Sequence, residues 1–150
     1  MVCINASNKI LNILKQFNIS INTLQYVLTT ILQIYTKKYD NKNVAIKLIY
    51  RFDSKNYGLY EFNTKRIIIC LPCLKNKEIF ISSLLHEFRH WIQHNVDNIS
   101  PIAIISKGIK YENNAYEKQC CDFEKIALAP VLELLNHYNT LYIHFTNENI

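Results

Sequence analysis

Residues 77–96 constrain the fold more than any other part of the sequence. Their apolar side chains fall in one arc when each residue is advanced by 100°, the period of an α-helix. The arc contains Ile81, Leu84, Leu85, Phe88, Trp91 and Ile92. The opposite side is polar and carries His86 and His90. The sequence therefore predicts a long helix that buries one face and presents two histidines on the other.

His86 and His90 belong, with Glu87, to an H-E-x-x-H pattern on this helix. Side chains four residues apart lie on one helical face, so both imidazoles can bind one tetrahedral Zn²⁺. Glu87 is rotated by about 100° from His86, which puts it beside the ion without binding it. There it can take a proton from zinc-bound water, whose pKa zinc lowers to about 7. The alternatives are two surface histidines on a helix, or a zinc ion that serves structure alone.

A catalytic zinc site commonly has three protein ligands and an open position. His94 lies about 80° round the helix and two turns from His86, so it would need a sharp turn that the intervening residues do not supply. We therefore expect a carboxylate from the following helix, and Glu117 is the first choice. Cys120, three residues later, is small enough to let the two helices approach closely. The other candidates are Glu112, Asp122 and Glu124.

The remaining pattern predicts an α+β fold in a single domain, residues 1–150. Ser7 and Ser20 are predicted to cap helices at 8–17 and 21–38, and residues 40–43 are predicted to form a loop. Segments 44–52, 57–62 and 66–71, with turns at 53–56 and 63–65, predict a three-stranded antiparallel meander. A last helix is predicted at 113–137, broken or kinked at Pro130, with a short strand or ordered tail at 141–145.

Composition excludes several classes of protein. The two glycines, Gly58 and Gly108, are too few for a dinucleotide-binding fingerprint and too far apart for a phosphate-binding loop. Five cysteines, an odd number, do not suggest a disulfide framework, and no signal peptide or membrane span is evident, so we expect a cytoplasmic protein. The net charge of +5 permits a nucleic-acid partner, but the basic residues are scattered and no aromatic–basic motif supports one.

The chain resembles the gluzincin type of zincin metallopeptidase, which pairs H-E-x-x-H with a glutamate on a later helix. The string His86-Glu87-Phe88-Arg89-His90-Trp91-Ile92-Gln93 is similar to the H-E-x-R-H-x-x-Q of small phage- and virus-type zincins. Tyr116-Glu117 and the following residues up to Phe123 have the shape of their second motif, Tyr-Glu-x-x-Ala-x-x-Phe, with Cys120 in the small position.

The resemblance implies a minimal zincin fold of N-terminal helices, a small sheet and two zinc helices. It implies zinc-dependent hydrolysis of peptide bonds, with His86, His90 and Glu117 as ligands and Glu87 as general base. The substrate would be a peptide or protein aligned along the free edge of strand 66–71. The alternative is a zinc-binding interaction or regulatory protein on the same scaffold without turnover. No membrane partner is expected, and the oligomeric state stays open.

Several other side chains have more than one reading. Arg89 and Gln93 could orient a ligand or face solvent, and Asp97 could hold a histidine or simply end the helix. Cys70 and Cys73 form C-x-x-C, for which buried free thiols are favoured over a redox pair or a second zinc site with Cys120 and Cys121. A donor to the developing oxyanion is needed, and the sequence does not rank five candidates: Tyr111, Tyr116, His137, Tyr138 and His144.

Overall fold

A four-stranded mixed sheet with strand order β1-β2-β4-β3 forms the base of the fold. The computed structural model describes residues 1–36, 43–105 and 109–147, with the backbone alone at residues 35, 112 and 139–147. The strands are β1 (Val2–Ala6), β2 (Val44–Arg51), β3 (Gly58–Glu61) and β4 (Arg66–Cys70). β1 and β4 each run parallel to β2, whereas β3 and β4 are antiparallel. The α+β class is confirmed, whereas the three-stranded antiparallel meander is wrong.

The parallel pairs have a topological cause. A parallel pair needs a long crossover between its strands, and two helices separate β1 from β2. β4 then lies between β2 and β3, so the segment after β2 cannot close a hairpin. In that segment the Asp53 carboxylate accepts hydrogen bonds from the backbone N–H groups of Lys55 and Asn56, which forms a local turn. The turn predicted at 63–65 does join β3 to β4, and Lys65 there has a φ of 54°.

The described ranges contain five α-helices beside the sheet: α1 (Asn8–Gln16), α2 (Ile21–Tyr35), α3 (Lys77–Asn95), α4 (Pro101–Ile105) and α5 (Ala115–Asn147). Ser7 and Ser20 cap α1 and α2 as predicted. Residues 37–38 and the first three residues of the loop predicted at 40–43 lie outside the described residues. No helix in the described part of the chain is both long and apolar enough to cross a membrane.

The C-terminal helix corrects two expectations. α5 continues through Pro130, so a break at this residue is wrong, whereas the alternative of a kink stays a prediction. Residues 141–145 belong to the same helix and form neither a strand nor a separate tail. Proline removes one backbone donor and crowds the preceding turn, but packing against the rest of the protein can outweigh that cost. Val131 and Leu135, which follow the proline, are 2% and 0% exposed.

The core lies between one face of the sheet and the helices. The register puts Val2, Ile46 and Ile67 on this face, and all three are buried. The apolar arc predicted on α3 is buried as well, from Ile81 to Ile92. Gly58 and Tyr60 of β3 share the inner face with Ile69 and Ile67, so they face α3. The fold thereby sets the edge strand directly against the helix that carries H-E-x-x-H.

Candidate metal centre

Two antiparallel helices bring three of the predicted ligands together. His86 and His90 project from α3, and Glu117 projects from the first turn of α5. Oε2 of Glu117 lies 3.1 Å from Nε2 of His86 and 3.2 Å from Nε2 of His90. The two imidazole centroids are 5.2 Å apart. One carboxylate oxygen and two imidazole nitrogens therefore converge on a single point between the helices.

The opposite nitrogen of each imidazole has its own acceptor. Nδ1 of His86 is 2.9 Å from Oε2 of Glu124, and Nδ1 of His90 is 3.0 Å from Oε1 of Gln93. A carboxylate or an amide oxygen in this position takes the Nδ1 proton, fixes the tautomer and leaves the Nε2 lone pair for a metal. Both rings are therefore oriented towards the convergence point. The sequence alone leaves the role of Gln93 open and makes Glu124 an alternative ligand.

Gln93 is itself fixed by α5. Its Nε2 donates to the backbone carbonyl of Tyr116 and to Oε1 of Gln119, each at 3.0 Å. The side chain is completely buried. The polar network therefore connects His90, on α3, to the first turns of α5 that also carry Glu117. This arrangement accounts for the glutamine three residues after the second histidine.

A fourth side chain, Cys120, lies close enough to be a ligand. One ligand atom each from His86, His90 and Cys120 can be chosen so that all lie within 4.8 Å of one another. The thiol, however, is 3.4 Å from Nδ1 of His90, on the side of the ring that Gln93 occupies. A metal bound by Cys120 at that nitrogen would have to displace Gln93. The donor atoms that face one point without rearrangement are the two Nε2 atoms and Oε2 of Glu117.

That donor set suits zinc. Two imidazole nitrogens and one carboxylate oxygen leave one position of a tetrahedron open, which is the ligand pattern of catalytic zinc sites. Of the other carboxylates considered, Asp122 is exposed on α5 and Glu124 contacts Nδ1 of His86. The side chain of Glu112 lies outside the described residues. Geometry thus favours Glu117 as the third ligand.

Charge sharing within the cluster shifts pKa values in both directions. Burial disfavours the imidazolium form of His86, but hydrogen bonds with Glu117 and Glu124 outweigh burial and raise its pKa to about 10. Burial likewise opposes the charge of Glu117, yet hydrogen bonds with both histidines hold its pKa well below the usual range. A metal ion would replace the protons in these contacts, so metal binding here competes with protonation.

Glu87 lies beside the cluster and against the edge strand. The residue is 8% exposed, and burial raises the pKa of its carboxyl to about 7 against the opposing effect of His86 and His90. A Cβ on residue 58 would lie 2.9 Å from Cγ of Glu87 and 3.3 Å from its Oε1. The carboxyl group therefore fits only because residue 58 is glycine. Gly58 cannot be identified from the sequence alone, because nothing local relates it to Glu87.

A cleft of about 700 Å³ opens over these groups. α3 forms its floor, β3 and the preceding loop form one wall, and α4, α5 and a 3-10 turn at Tyr111–Asn113 form the opposite wall. Tyr111 projects from this turn and brings its hydroxyl to 3.4 Å from Nε2 of His86. Burial and the nearby Glu117 raise the pKa of Tyr111 above its ordinary value, so the phenol stays protonated and can donate.

The other candidate donors are engaged or placed elsewhere. Tyr116 is not among the residues that line the cleft, Tyr138 packs edge to face against Tyr26, and His137 lines a separate groove on α5. The side chain of His144 lies outside the described residues. Among the candidates that the structure describes, Tyr111 is the one whose hydroxyl contacts a predicted ligand.

The open edge of the sheet also faces this cleft, but it is not the strand predicted from the sequence. Segment 66–71 contains β4, which is flanked by β2 and β3, so the expected free edge there is wrong. The edge strand at the cleft is β3, which corresponds to the middle strand of the predicted meander. Sequence-adjacent strands were expected to pair, whereas β4 inserts between β2 and β3.

The hydrogen-bond alternation identifies which groups of β3 are directed outward. The amide of Cys70 donates to the carbonyl of Tyr57, so Leu59 and Glu61, at two-residue intervals, form the bonded pairs with β4. The N–H and C=O groups of Gly58 and Tyr60 consequently point away from β4. Gly58, Leu59 and Tyr60 all line the cleft. An extended chain lying there would meet a ready set of backbone donors and acceptors.

The remaining predicted side chains are structural. His94 binds the hydroxyl of Tyr60 through Nδ1 at 2.9 Å and points away from the convergence point. Arg89 pairs with Asp97 at 3.0 Å, so neither holds a histidine. The buried-thiol interpretation of the C-x-x-C pair is confirmed, because Cys70 and Cys73 are free and buried. Burial raises the pKa of the Cys73 thiol to about 12.

Comparison with known proteins gives no relative. No family model, no curated protein and no solved structure matches the chain.

Proposed function

We propose that this protein is a zinc-dependent metallopeptidase of the gluzincin type. One observation carries the proposal: two imidazole Nε2 atoms and one carboxylate oxygen converge beside a buried glutamate, in a cleft bounded by a free strand edge. A metal site that served structure alone would need neither the buried Glu87 nor the open cleft. His86, His90 and Glu117 would hold the ion, and Glu124 and Gln93 would orient the histidines.

The chemistry follows from the roles that these side chains can take. Bound Zn²⁺ supplies a Lewis acid that polarises a carbonyl group and lowers the pKa of water. Glu87 accepts the proton of the attacking water and then delivers it to the leaving amine. Its pKa near 7 suits both transfers, although the charge of a bound ion would lower that value. Tyr111 donates from the opposite wall to the oxygen on which negative charge develops.

Substrate alignment is assigned to β3. The outward N–H and C=O groups of Gly58 and Tyr60 would pair with the main chain of an extended peptide, which adds a strand to the sheet. Gly58 also contacts the side chain of Glu87 through its Cα region. Pairing along β3 would therefore bring a peptide bond close to the base, whatever its side chains are.

Metal content tests the ligand assignment. Protein purified without chelator or added metal should contain about one zinc per chain, as measured by inductively coupled plasma mass spectrometry. Glu117→Ala should lose the zinc, whereas Cys120→Ala, the matched control on the same helix, should keep it. Loss of zinc from Cys120→Ala but not from Glu117→Ala would make the Cys120 thiol the third ligand. That result would favour the alternative of a zinc-binding protein without turnover. Circular dichroism verifies that each variant is folded.

Hydrolysis tests the catalytic part. Zinc-loaded wild type should release fluorescence from heavily labelled casein, and Glu87→Gln should keep the zinc but lose about 10²–10⁴-fold of the rate. Equal rates in wild type and Glu87→Gln would remove Glu87 as the base. A zinc-loaded wild type that does not cleave labelled casein or unstructured peptides would support the binding-protein alternative.

A further inference from the structure

The two ends of the cleft can be told apart because β3 and α3 run along it in the same direction. Near the start of β3, Gly58 contacts Glu87 in the middle of α3. Near its end, the Tyr60 hydroxyl contacts Nδ1 of His94 and Nδ2 of Asn95, each at 2.9 Å. The C-terminal end of β3 therefore lies at the C-terminal end of α3. The loop before β3 lies towards the N-terminal end of α3.

The C-terminal end of the cleft is apolar. Asn114, just before α5, donates its Nδ2 to the carbonyl of Ile104 and so holds α4 against the start of α5. The same turns of α5 contact Gln93, in the C-terminal half of α3. Ile105 is 56% exposed and lines the cleft here. This end is built from Tyr60, Phe62, Ile104 and Ile105, and the ring of Phe62 packs against His94.

The opposite end is more polar. Ser82 and Ser83, on α3, line it together with Glu78 at the start of that helix, and Ile79 and Leu128 add apolar surface between these polar groups. Lys55 and Asn56, in the loop before β3, line the facing wall. Removing water from the charged and hydroxyl groups of both walls costs free energy unless the ligand offers hydrogen-bond partners in its place. Polar side chains therefore suit this end, and large apolar ones suit the other.

The orientation of a bound chain follows from hydrogen bonding. In an antiparallel pair, one residue exchanges both its N–H and its C=O with a single partner residue. The outward groups of Gly58 and Tyr60 are arranged for this exchange. Parallel pairing is slightly less stable and uses slanted bonds. A chain antiparallel to β3 enters at the apolar end and leaves at the polar end, in its own N-to-C direction.

We propose that the substrate is an extended polypeptide segment whose residues before the scissile bond are bulky and apolar and whose following residues are polar. This inference rests on the proposed function, because the metal cluster defines where the scissile bond lies. Phe62 and Ile105 form the apolar surface against which the preceding residues pack. The protein would accordingly act on unfolded or flexible segments that expose large apolar side chains, and not on charged tails.

Two peptides of equal composition test whether apolar residues must precede polar ones. In one, a Phe-Ile-Leu block precedes a Ser-Gly-Asn block, and in the other the two blocks are exchanged. Both carry fluorescein at the polar end, and zinc-loaded Glu87→Gln is used so that binding is measured by anisotropy without cleavage. The apolar-first peptide should bind about tenfold more tightly or better, because burial of one large aliphatic side chain has this magnitude.

Two isoleucines of α4 provide a matched variant and control, each placed in the Glu87→Gln background. Ile105→Glu introduces charge into the cleft wall, whereas Ile102→Glu changes a side chain that is 85% exposed and outside the cleft. The first should abolish the preference for the apolar-first peptide, and the second should leave it intact. Equal affinity for the two peptides, equal effects of the two substitutions, or binding of neither peptide would overturn the proposal.

The same peptides separate the two proposals. Preferential binding to Glu87→Gln without any cleavage by zinc-loaded wild type would refute the peptidase function and leave the order of recognition standing. Cleavage of both peptides at equal rates, with equal binding, would support the peptidase function and refute the order. Mass spectrometry of the products locates the cleaved bond relative to the apolar block, which should precede it.

Discussion

Replacing Gly58 with alanine should disable the base without disturbing the ligands. A new Cβ would lie 2.9 Å from Cγ of Glu87 and 3.2 Å from the carbonyl oxygen of Ile68. Non-bonded carbons prefer about 3.5–4.0 Å, so the overlap with Cγ is about 0.6–1.1 Å. The Ile68 carbonyl belongs to the central strand and cannot move easily. The side chain of Glu87 therefore has to shift by most of that distance.

The size of the effect follows from that displacement. A misplacement of about 1 Å at a reacting group costs about 10²-fold in rate. Overpacking in a buried contact adds about 1–3 kcal/mol of destabilisation. The predicted ligands lie on α3 and α5 and do not touch residue 58, so zinc content should stay near one per chain. The variant should thus resemble Glu87→Gln in rate while keeping the glutamate.

Leu59→Ala is the matched control for this experiment. Leu59 neighbours Gly58 on β3 but faces the other side of the sheet, so its truncation leaves Glu87 undisturbed. Turnover on labelled casein, zinc content and the thermal midpoint should be measured for both variants. Gly58→Ala with wild-type turnover and an unchanged midpoint would refute the argument that the carboxyl needs this glycine. Loss of zinc from Gly58→Ala would refute the separation of base and ligands.

Three further substitutions test other parts of the site and fold. Tyr111→Phe should keep zinc and KM but lower kcat about 10²–10³-fold, and an unchanged kcat would exclude the phenol as oxyanion donor. Glu124→Gln should weaken zinc binding about 10–100-fold in chelator competition, whereas the exposed Glu133→Gln should not. Hydrogen bonds with Thr64 and Arg66 lower the pKa of Glu61 to about 2. The stability advantage of wild type over Glu61→Gln in denaturant titrations should be constant above pH 4.5 and vanish as the pH falls through about 2; a pH-independent difference would contradict this reasoning.

The helices were predictable because their signals are local. Ser7 and Ser20 precede apolar periodicity and do cap helices, and the arc from Ile81 to Ile92 is buried as its spacing indicates. Sheet order was not predictable in the same way. β1 has only five residues, and its pairing with β2 joins segments about 42 positions apart, as Val2 with Val44. Local patterning carries no information on such a partner.

Within the candidate site, too, residues related by local spacing were predictable, and those related by tertiary contacts were not. His86, Glu87 and His90 follow from one helical turn, and Glu117 followed from the need for a third ligand on a later helix. Gly58 became visible only when the sheet was in place. The orienting contact of Glu124 likewise depends on how two helices align, since 38 positions separate it from His86. Sequence spacing indicates which groups share a helix face, but not what lies opposite.

The convergence of α3 and α5 has a consequence for how firmly the chain stays folded. His86 and Glu117 are 31 positions apart, so an ion shared between them would close a loop of that length, as a disulfide does. By the chain-entropy relation for cross-links, a closure of this size stabilises the folded state by about 3–4 kcal/mol. Since its cysteines form no disulfide, a bound metal ion would be the cross-link between α3 and α5. Loss of the ion would then lower the catalytic rate and the free energy of unfolding together.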